Sequence, residues 1–285
     1  RPVVWTPPRP PPFRGFPRRD GVLLHGPGGW GEVAPFWDYG SEASAPWLAA
    51  GLSQALGRAF LPRYRETIAV NVTVPEVGAE DAAEMVRSSG ARTAKVKVSG
   101  RPEQRAADLE RLEAVRSAVG RAGKVRIDVN GAWDVDTARE NLPRMDRAAG
   151  GLEYVEQPCA AVYDLADLRR AVDVPIAADE SIRLSANPLE IVHRRAADVA
   201  ILKVAPLGGV HRALDMAERL GLPAVVSSAL DTSVGIMAGA TLAFSLPSLN
   251  HACGLGTTRL LTQDVADPSV RPSNGTLRLD AAAPV

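Results

Sequence analysis

Three carboxylates, Asp128, Glu156 and Asp179, each close a short apolar run, and they follow one another at intervals of 28 and 23 residues. Intervals of that size match one strand–helix unit apiece, so in a parallel arrangement the three acids reach neighbouring strand ends. Like charges brought that close are costly unless a cation neutralises them. Oxygen donors without matching cysteines or histidines favour Mg²⁺, with Mn²⁺ as the other candidate, over zinc. Acids after strands also cap helices or pair with arginines, and any one of these alone would be read that way. Their regular spacing favours a metal. Glu180 directly follows Asp179, and since neighbours on a strand point to opposite faces, only one of the two is expected to face the ion.

Lysines supply the other half of the constellation. In Ala94-Lys95-Val96-Lys97-Val98 the two lysines lie two apart and share a strand face. Lys203 ends the apolar run Ile201-Leu202-Lys203, 24 residues after Asp179. Buried lysines need partners. The arrangement is expected to place Lys97 and Lys203 on opposite sides of a metal-bound carboxylate substrate. A proton alpha to a carboxylate is very weakly acidic, and its removal leaves an enediolate whose charge a metal can stabilise. A lysine beside another ammonium in a desolvated pocket has a lowered pKa and can serve as base. Lys97 is therefore the expected base, Lys95 the group that tunes it, and Lys203 an electrophilic partner.

The elements that must position these residues follow a βα rhythm. Strands are predicted at 68–74, 93–98, 124–129, 152–156, 175–178, 198–204, 223–228 and 249–254, with helices at 79–88, 103–119, 134–148, 162–171, 188–195, 210–220 and 232–245. Short, nearly continuous apolar strands imply cover on both faces, as in a parallel (β/α) barrel. A doubly wound sheet often carries a glycine-rich turn after its first strand, and Pro75-Glu76-Val77 is not one. Residues 1–67 break the rhythm with a proline-rich entry, an expected β-meander around Val22-Leu23-Leu24 and an expected helix over 45–60. They are read as a capping domain on which 256–285 packs, with 68–255 as the barrel.

Composition narrows the partners. The 33 Lys and Arg balance the 33 Asp and Glu, which argues against a general attraction to nucleic acid or anionic membrane and for a small-molecule carboxylate substrate. Two cysteines, Cys159 and Cys253, make no disulfide framework. The apolar stretch 234–246 is too short to span a bilayer and is expected to be a buried helix. The opening proline-rich run has no signal-peptide pattern, so a cytoplasmic protein is expected. Both a monomer and a homo-oligomer are compatible with the sequence.

Taken together, the Lys95/Lys97 pair, Asp128, Glu156, Asp179 and Lys203 resemble the enolase superfamily, in its muconate-lactonising subgroup. Gly29-Trp30-Gly31-Glu32 with Pro35 is similar to a turn in that family's N-terminal domain. The resemblance implies an α+β capping domain over a (β/α)₇β modified TIM barrel, metal ligation by Asp128, Glu156 and Asp179, and no catalytic histidine.

Within the subgroup the chain is most similar to the o-succinylbenzoate synthase family. That likeness rests on Arg126-Ile127-Asp128-Val129-Asn130, Leu207-Gly208-Gly209-Val210, Ser227-Ser228-Ala229, Gly254-Leu255-Gly256-Thr257 and Pro12-Phe13-Arg14-Gly15. It implies a hydro-lyase of menaquinone biosynthesis that syn-dehydrates 2-succinyl-6-hydroxy-2,4-cyclohexadiene-1-carboxylate to 2-succinylbenzoate. Ser227 and the backbone near Gly254 would then receive the succinyl tail, and Arg126 and Asn130 are candidate substrate contacts. The rival is an N-acylamino acid racemase or dipeptide epimerase with the same metal and both lysines as bases. Leu249-Asn250-His251-Ala252 lacks the Asp-x-Asp common in dipeptide epimerases.

Overall fold

A computed structural model describes residues 2–5, 8–13 and 16–278. Its chain divides into two compact units, one of residues 1–70, 202–272 and 276–285, the other of 71–201 and 273–275.

The first unit opens with strands β1 (Pro2–Trp5), β2 (Pro8–Phe13), β3 (Phe16–Arg18), β4 (Gly21–Gly26) and β5 (Gly29–Val33). β4 lies between β1 and β5 in an antiparallel sheet, while β2 and β3 pair separately. The expected strands around Val22-Leu23-Leu24 are antiparallel, but β2 and β3 intervene in the chain between β1 and β4, so they form a hairpin with one added strand and not a meander. Helix α1 (Ser41–Ala55) packs on β5 so closely that a Cβ on Gly31 would lie 1.9 Å from the Gly51 carbonyl oxygen. Only glycine permits that approach. The helix expected over 45–60 starts earlier and stops earlier, because Gly57 adopts a φ of +72° just beyond its end. Strand β6 (Thr67–Ala69) follows.

The second unit alternates strand and helix: β7 (Val72–Val74), α2 (Ala79–Ser89), β8 (Thr93–Lys97), α3 (Arg105–Val119), β9 (Lys124–Asp128), α4 (Val135–Ala148), β10 (Leu152–Glu156), α5 (Val162–Arg169), β11 (Ile176–Ala178), α6 (Glu180–Arg183), α7 (Glu190–His193) and β12 (Val199–Lys203). The end of β12 carries the chain back into the first unit, which continues with α8 (Val210–Leu220), β13 (Ala224–Ser227), α9 (Ser233–Ser245) and β14 (Thr276–Arg278). Strands β7 to β13 form one seven-stranded sheet in chain order, and every resolved pairing in it is parallel. Ala94, Val96, Val125, Ile127 and Val155 are fully buried, as apolar strand residues beneath a layer of helices must be.

Three further elements differ from expectation. The strand predicted over 68–74 is two strands: β6 turns aside to pair antiparallel with β14, which meets Ile68 through Leu277, and β7 alone joins the parallel sheet. The predicted eighth strand shrinks to two residues, with Cys253 bridging Val70 and Gly254 bridging Ser227. The helix predicted over 188–195 is the single turn α7, and α6 adds a turn the periodicity did not reveal. A four-residue helix shows too little repeat to be read from sequence.

The apolar stretch 234–246 forms α9, with nine of its residues buried. Among the described residues no helix is long and apolar enough to cross a membrane. The N-terminus of α9 is held by Glu32 of β5, whose carboxylate accepts the Thr232 and Gly235 amides, at 3.1 and 2.9 Å from Oε2, and the Thr232 hydroxyl. A carboxylate there answers otherwise unpaired amides and the positive end of the helix dipole.

Candidate active site

Ladder register assembles the centre. Lys97 stands opposite Asp128, and Asp128 opposite Glu156; one step lower, Lys95 stands opposite Arg126, and Arg126 opposite Tyr154. Because residues two apart share a face, both levels project to the same side of the sheet. All six side chains are buried. The Lys95 ammonium lies 2.9 Å from Asp128 Oδ2 and 3.0 Å from each Glu156 oxygen. The Lys97 ammonium donates to that same Asp128 oxygen at 2.6 Å and to Asn130 Oδ1 at 2.6 Å.

These contacts separate the lysines electrically. Burial works against the charge on Lys95, yet Asp128 and Glu156 outweigh it and hold the ammonium well above the ordinary lysine pKa. For Lys97 burial prevails, with Asp128 opposing and the Lys95 ammonium adding to the fall, so its pKa drops below the ordinary value. A lysine with that bias is suited to give up its proton and act as base.

Asp179 follows β11 and is fully buried; its Oδ1 accepts from Arg183 Nε at 2.9 Å. Glu180 does not turn to an opposite face as expected. The strand ends at Ala178 and α6 begins at Glu180, so strand alternation no longer applies, and Glu180 Oε1 accepts from Asn130 Nδ2 at 3.1 Å and Arg183 Nη2 at 2.8 Å. Asn130 is thereby oriented with its carbonyl toward Lys97, in a left-handed backbone conformation of φ +52°.

Gln157 and Arg183 were not anticipated. Gln157, fully buried, accepts the Asp179 amide at 2.9 Å and the Ser181 amide at 3.2 Å, and donates to the Cys159 carbonyl and the Ser181 hydroxyl. It sets the turn that presents Asp179. Their only signal in the sequence is adjacency to the acids, Glu156-Gln157 and Asp179-Glu180-Ser181-Ile182-Arg183.

Three buried carboxylates on successive strand ends, offering oxygen alone, fit a hard divalent cation. Here their oxygens are paired with Lys95, Lys97 and Arg183, and among the described residues no three His, Cys, Asp or Glu side chains surround a common point. These three acids draw positive charge; Lys95, Lys97 and Arg183 supply it here, and a bound cation would add to it.

The remaining expected residues divide between the units. Arg126 is fully buried and donates to Glu153 and, at 3.2 Å, to Asn71 Oδ1, with its guanidinium 4.6 Å from the Tyr154 ring centre. Glu153 and Asn71 are thus hydrogen-bonded partners of this guanidinium, and the Glu156 charge also favours its protonated form. In the first unit, Lys203 is buried at the end of β12. Burial raises the Asp231 carboxyl there, with Arg19, the Ala229 amide and Lys203 opposing. Ser227 and Gly254 are brought together: a Cβ on Gly254 would lie 2.3 Å from Ser227 Oγ. The Gly254 amide donates to Val226 and its carbonyl accepts from Ser228, so this backbone is engaged in the sheet.

A family model described as enolase C-terminal domain-like matches residues 78–284, and one described as enolase N-terminal domain-like matches 4–55. An o-succinylbenzoate synthase of Thermobifida fusca (strain YX) is 55% identical over 265 residues, covering 93% of this chain and 83% of that one. One of Mycobacterium tuberculosis (strain H37Rv) is 50% identical over 273 residues, covering 95% and 82%. Among solved structures, the substrate-liganded L-Ala-D/L-Glu epimerase from Bacillus subtilis superposes with a TM-score of 0.83 at 26% identity, covering 98% of this chain and 95% of that one. A muconate lactonizing enzyme from Pseudomonas fluorescens gives 0.81 at 22% identity, covering 99% and 94%, a likeness of fold.

Proposed function

Because the chain belongs to the enolase superfamily, we propose that it is an o-succinylbenzoate synthase, a lyase that dehydrates 2-succinyl-6-hydroxy-2,4-cyclohexadiene-1-carboxylate to 2-succinylbenzoate. The observation that carries this reading is identity of 50–55% with o-succinylbenzoate synthases over more than nine-tenths of the chain, against 26% with the epimerase it superposes on. Its product feeds menaquinone biosynthesis, and a cytoplasmic location suits that role.

Enzymes of the superfamily generally depend on a divalent metal. In this chain Asp128, Glu156 and Asp179 are the residues that would hold it, as Mg²⁺, and when bound it would supply positive charge to favour the developing negative charge of the substrate carboxylate. Lys97 Nζ takes that ring proton. The C–H electron pair becomes the new ring double bond, the C–O bond of the β-hydroxyl breaks, and the proton on Lys97 passes to the departing oxygen, so that water leaves and the ring becomes aromatic. Asn130 and Asp128 hold the Lys97 amine in place. Lys203 remains protonated and stabilises the negative charge that develops on the substrate. Ser227 receives the succinyl tail.

A spectrophotometric assay of the dehydration, run on the purified protein with and without EDTA, tests this reading. Lys97→Ala should abolish turnover while leaving the fold intact, and dehydration retained in that variant would overturn the base assignment. In D₂O with an N-succinylamino acid, deuterium exchange with inversion at rates matching dehydration would instead favour a racemase, in which Lys203 serves as a second base.

A further inference from the structure

Outside the cluster of lysines and acids, a second buried ion pair touches the strand that carries Lys97. Asp108 and Arg111, three apart on α3, are 1% and 5% exposed, and Arg111 Nη1 donates to Asp108 Oδ1 at 2.6 Å. Withdrawing such a pair from water is unfavourable, and apolar side chains of similar volume would stabilise a helix–sheet interface as well or better. What distinguishes this pair is where its remaining hydrogen bonds go. Arg111 Nη1 also donates to the Lys97 carbonyl at 3.2 Å, and its Nε donates to the Val77 carbonyl at 2.6 Å. Asp108 Oδ2 accepts the Ser99 amide at 2.9 Å.

The ladder between β8 and β9 ends at the Lys97–Asp128 pair, so the backbone beyond it has few sheet partners. The peptide joining Lys97 to Val98 is held at both ends: its N–H donates to the Asp128 carbonyl at 3.2 Å, and its C=O accepts from Arg111. With the Ser99 amide held by Asp108 as well, the backbone that aims the Lys97 side chain has little freedom. The Nζ end is separately held by Asp128 and Asn130.

We propose that Asp108 and Arg111 are positioning residues for Lys97, an outer-helix clamp that fixes the backbone from which the amine reaches the reacting carbon. The inference rests on Lys97 being the base. Misplacing a reacting group by about 1 Å can lower a rate ~100-fold, whereas substrate binding by the rest of the site is untouched. Loss of the clamp therefore lowers kcat and leaves KM nearly unchanged.

The test uses Arg111→Met, Arg111→Lys and Asp108→Asn in the full chain with Mg²⁺, assayed on substrate carrying hydrogen or deuterium at the ring carbon that bears the carboxylate. For Arg111→Met the expected result is a fall in kcat of roughly 10- to 100-fold with KM little changed, and an isotope effect on kcat larger than in the wild type, because proton transfer has become slower. Arg111→Lys should recover part of both. A folded Arg111→Met enzyme with wild-type kcat and isotope effect, whatever its Tm, overturns the proposal. Should that variant not fold, Arg111→Lys and Asp108→Asn, which each keep part of the hydrogen bonding, are judged by the same two readouts. Lys97→Ala is run in parallel: dehydration retained there sinks the base assignment itself, while its loss there with wild-type kinetics in the clamp variants sinks the clamp alone.

Discussion

Lys95 and Lys97 donate to one and the same oxygen, Oδ2 of Asp128, at 2.9 and 2.6 Å. Two ammonium groups on one acceptor cannot be equally content with their protons. Lys95, which also has Glu156, keeps its proton; Lys97, where burial prevails over Asp128 and the neighbouring ammonium adds to the fall, holds its own less firmly.

The pH dependence of turnover should carry that asymmetry. A base works when unprotonated, so kcat/KM should rise with pH through the Lys97 pKa, at a midpoint below the ordinary lysine value. Lys95→Gln removes a charge that lowers this pKa, so the rising limb should move to higher pH. A limb that stays in place or moves down would contradict the tuning role, as read from pH–rate profiles of the two proteins.

Metal removal gives a second outcome. EDTA should abolish dehydration and Mg²⁺ restore it, and saturating Mg²⁺ should raise Tm, since a ligand at about 100 times its Kd stabilises by roughly 2.7 kcal/mol. Asp179→Asn should lose most of that rise. Thermal melts with and without the ion decide the matter independently of activity.

Glu32 predicts a pH-dependent stability. Burial and the neighbouring Asp231 push its carboxyl up to about 7 from an ordinary 4.5, although Thr232 and Arg19 oppose the shift. The folded chain therefore holds this proton more tightly than the unfolded chain. Stability from this group is greatest below about 4.5 and falls as pH rises toward 7, levelling off above it. Denaturant melts of wild type and Glu32→Gln across that window should diverge, with the variant gaining relative to wild type as pH rises. Parallel curves would refute the assignment.

Gly254→Ala should destabilise by about 1–3 kcal/mol, because the new methyl meets Ser227 Oγ within van der Waals contact. Ser227→Ala should recover part of this loss, giving a coupling on the order of 0.5 kcal/mol or more in a double-mutant cycle. Additive effects would show that the two positions are not in contact.

Much of this architecture is legible in the residues. Lys95 and Lys97 obey strand alternation, and the acids at 128, 156 and 179 mark strand ends, because both rules act over a few residues. The rules stop where strands stop. Glu180 escaped them because the chain turns helical one residue after Asp179. Gln157 escaped because its φ of +41° belongs to no repeating pattern. The pairing of β6 with β14 joins segments about two hundred residues apart, a contact no local periodicity encodes. Arg126 shows the face of its strand but not its depth: alternation placed it inward, while Glu153 and Asn71 were needed to say what it holds.

The eighth strand, reduced to Cys253 and Gly254, bears on how the molecule comes to exist. Lys95, Lys97, Asp128, Glu156, Asp179 and Lys203 all precede it in the chain, yet the bridges to Val70 and Ser227 need residues 253 and 254. A nascent chain stopped at residue 250 would own every proposed catalytic side chain and still lack both bridges. Contacts joining such distant segments form late, since the loop between them must first be closed. The side chains that carry the proposed chemistry are therefore made before the two residues that bridge Val70 and Ser227.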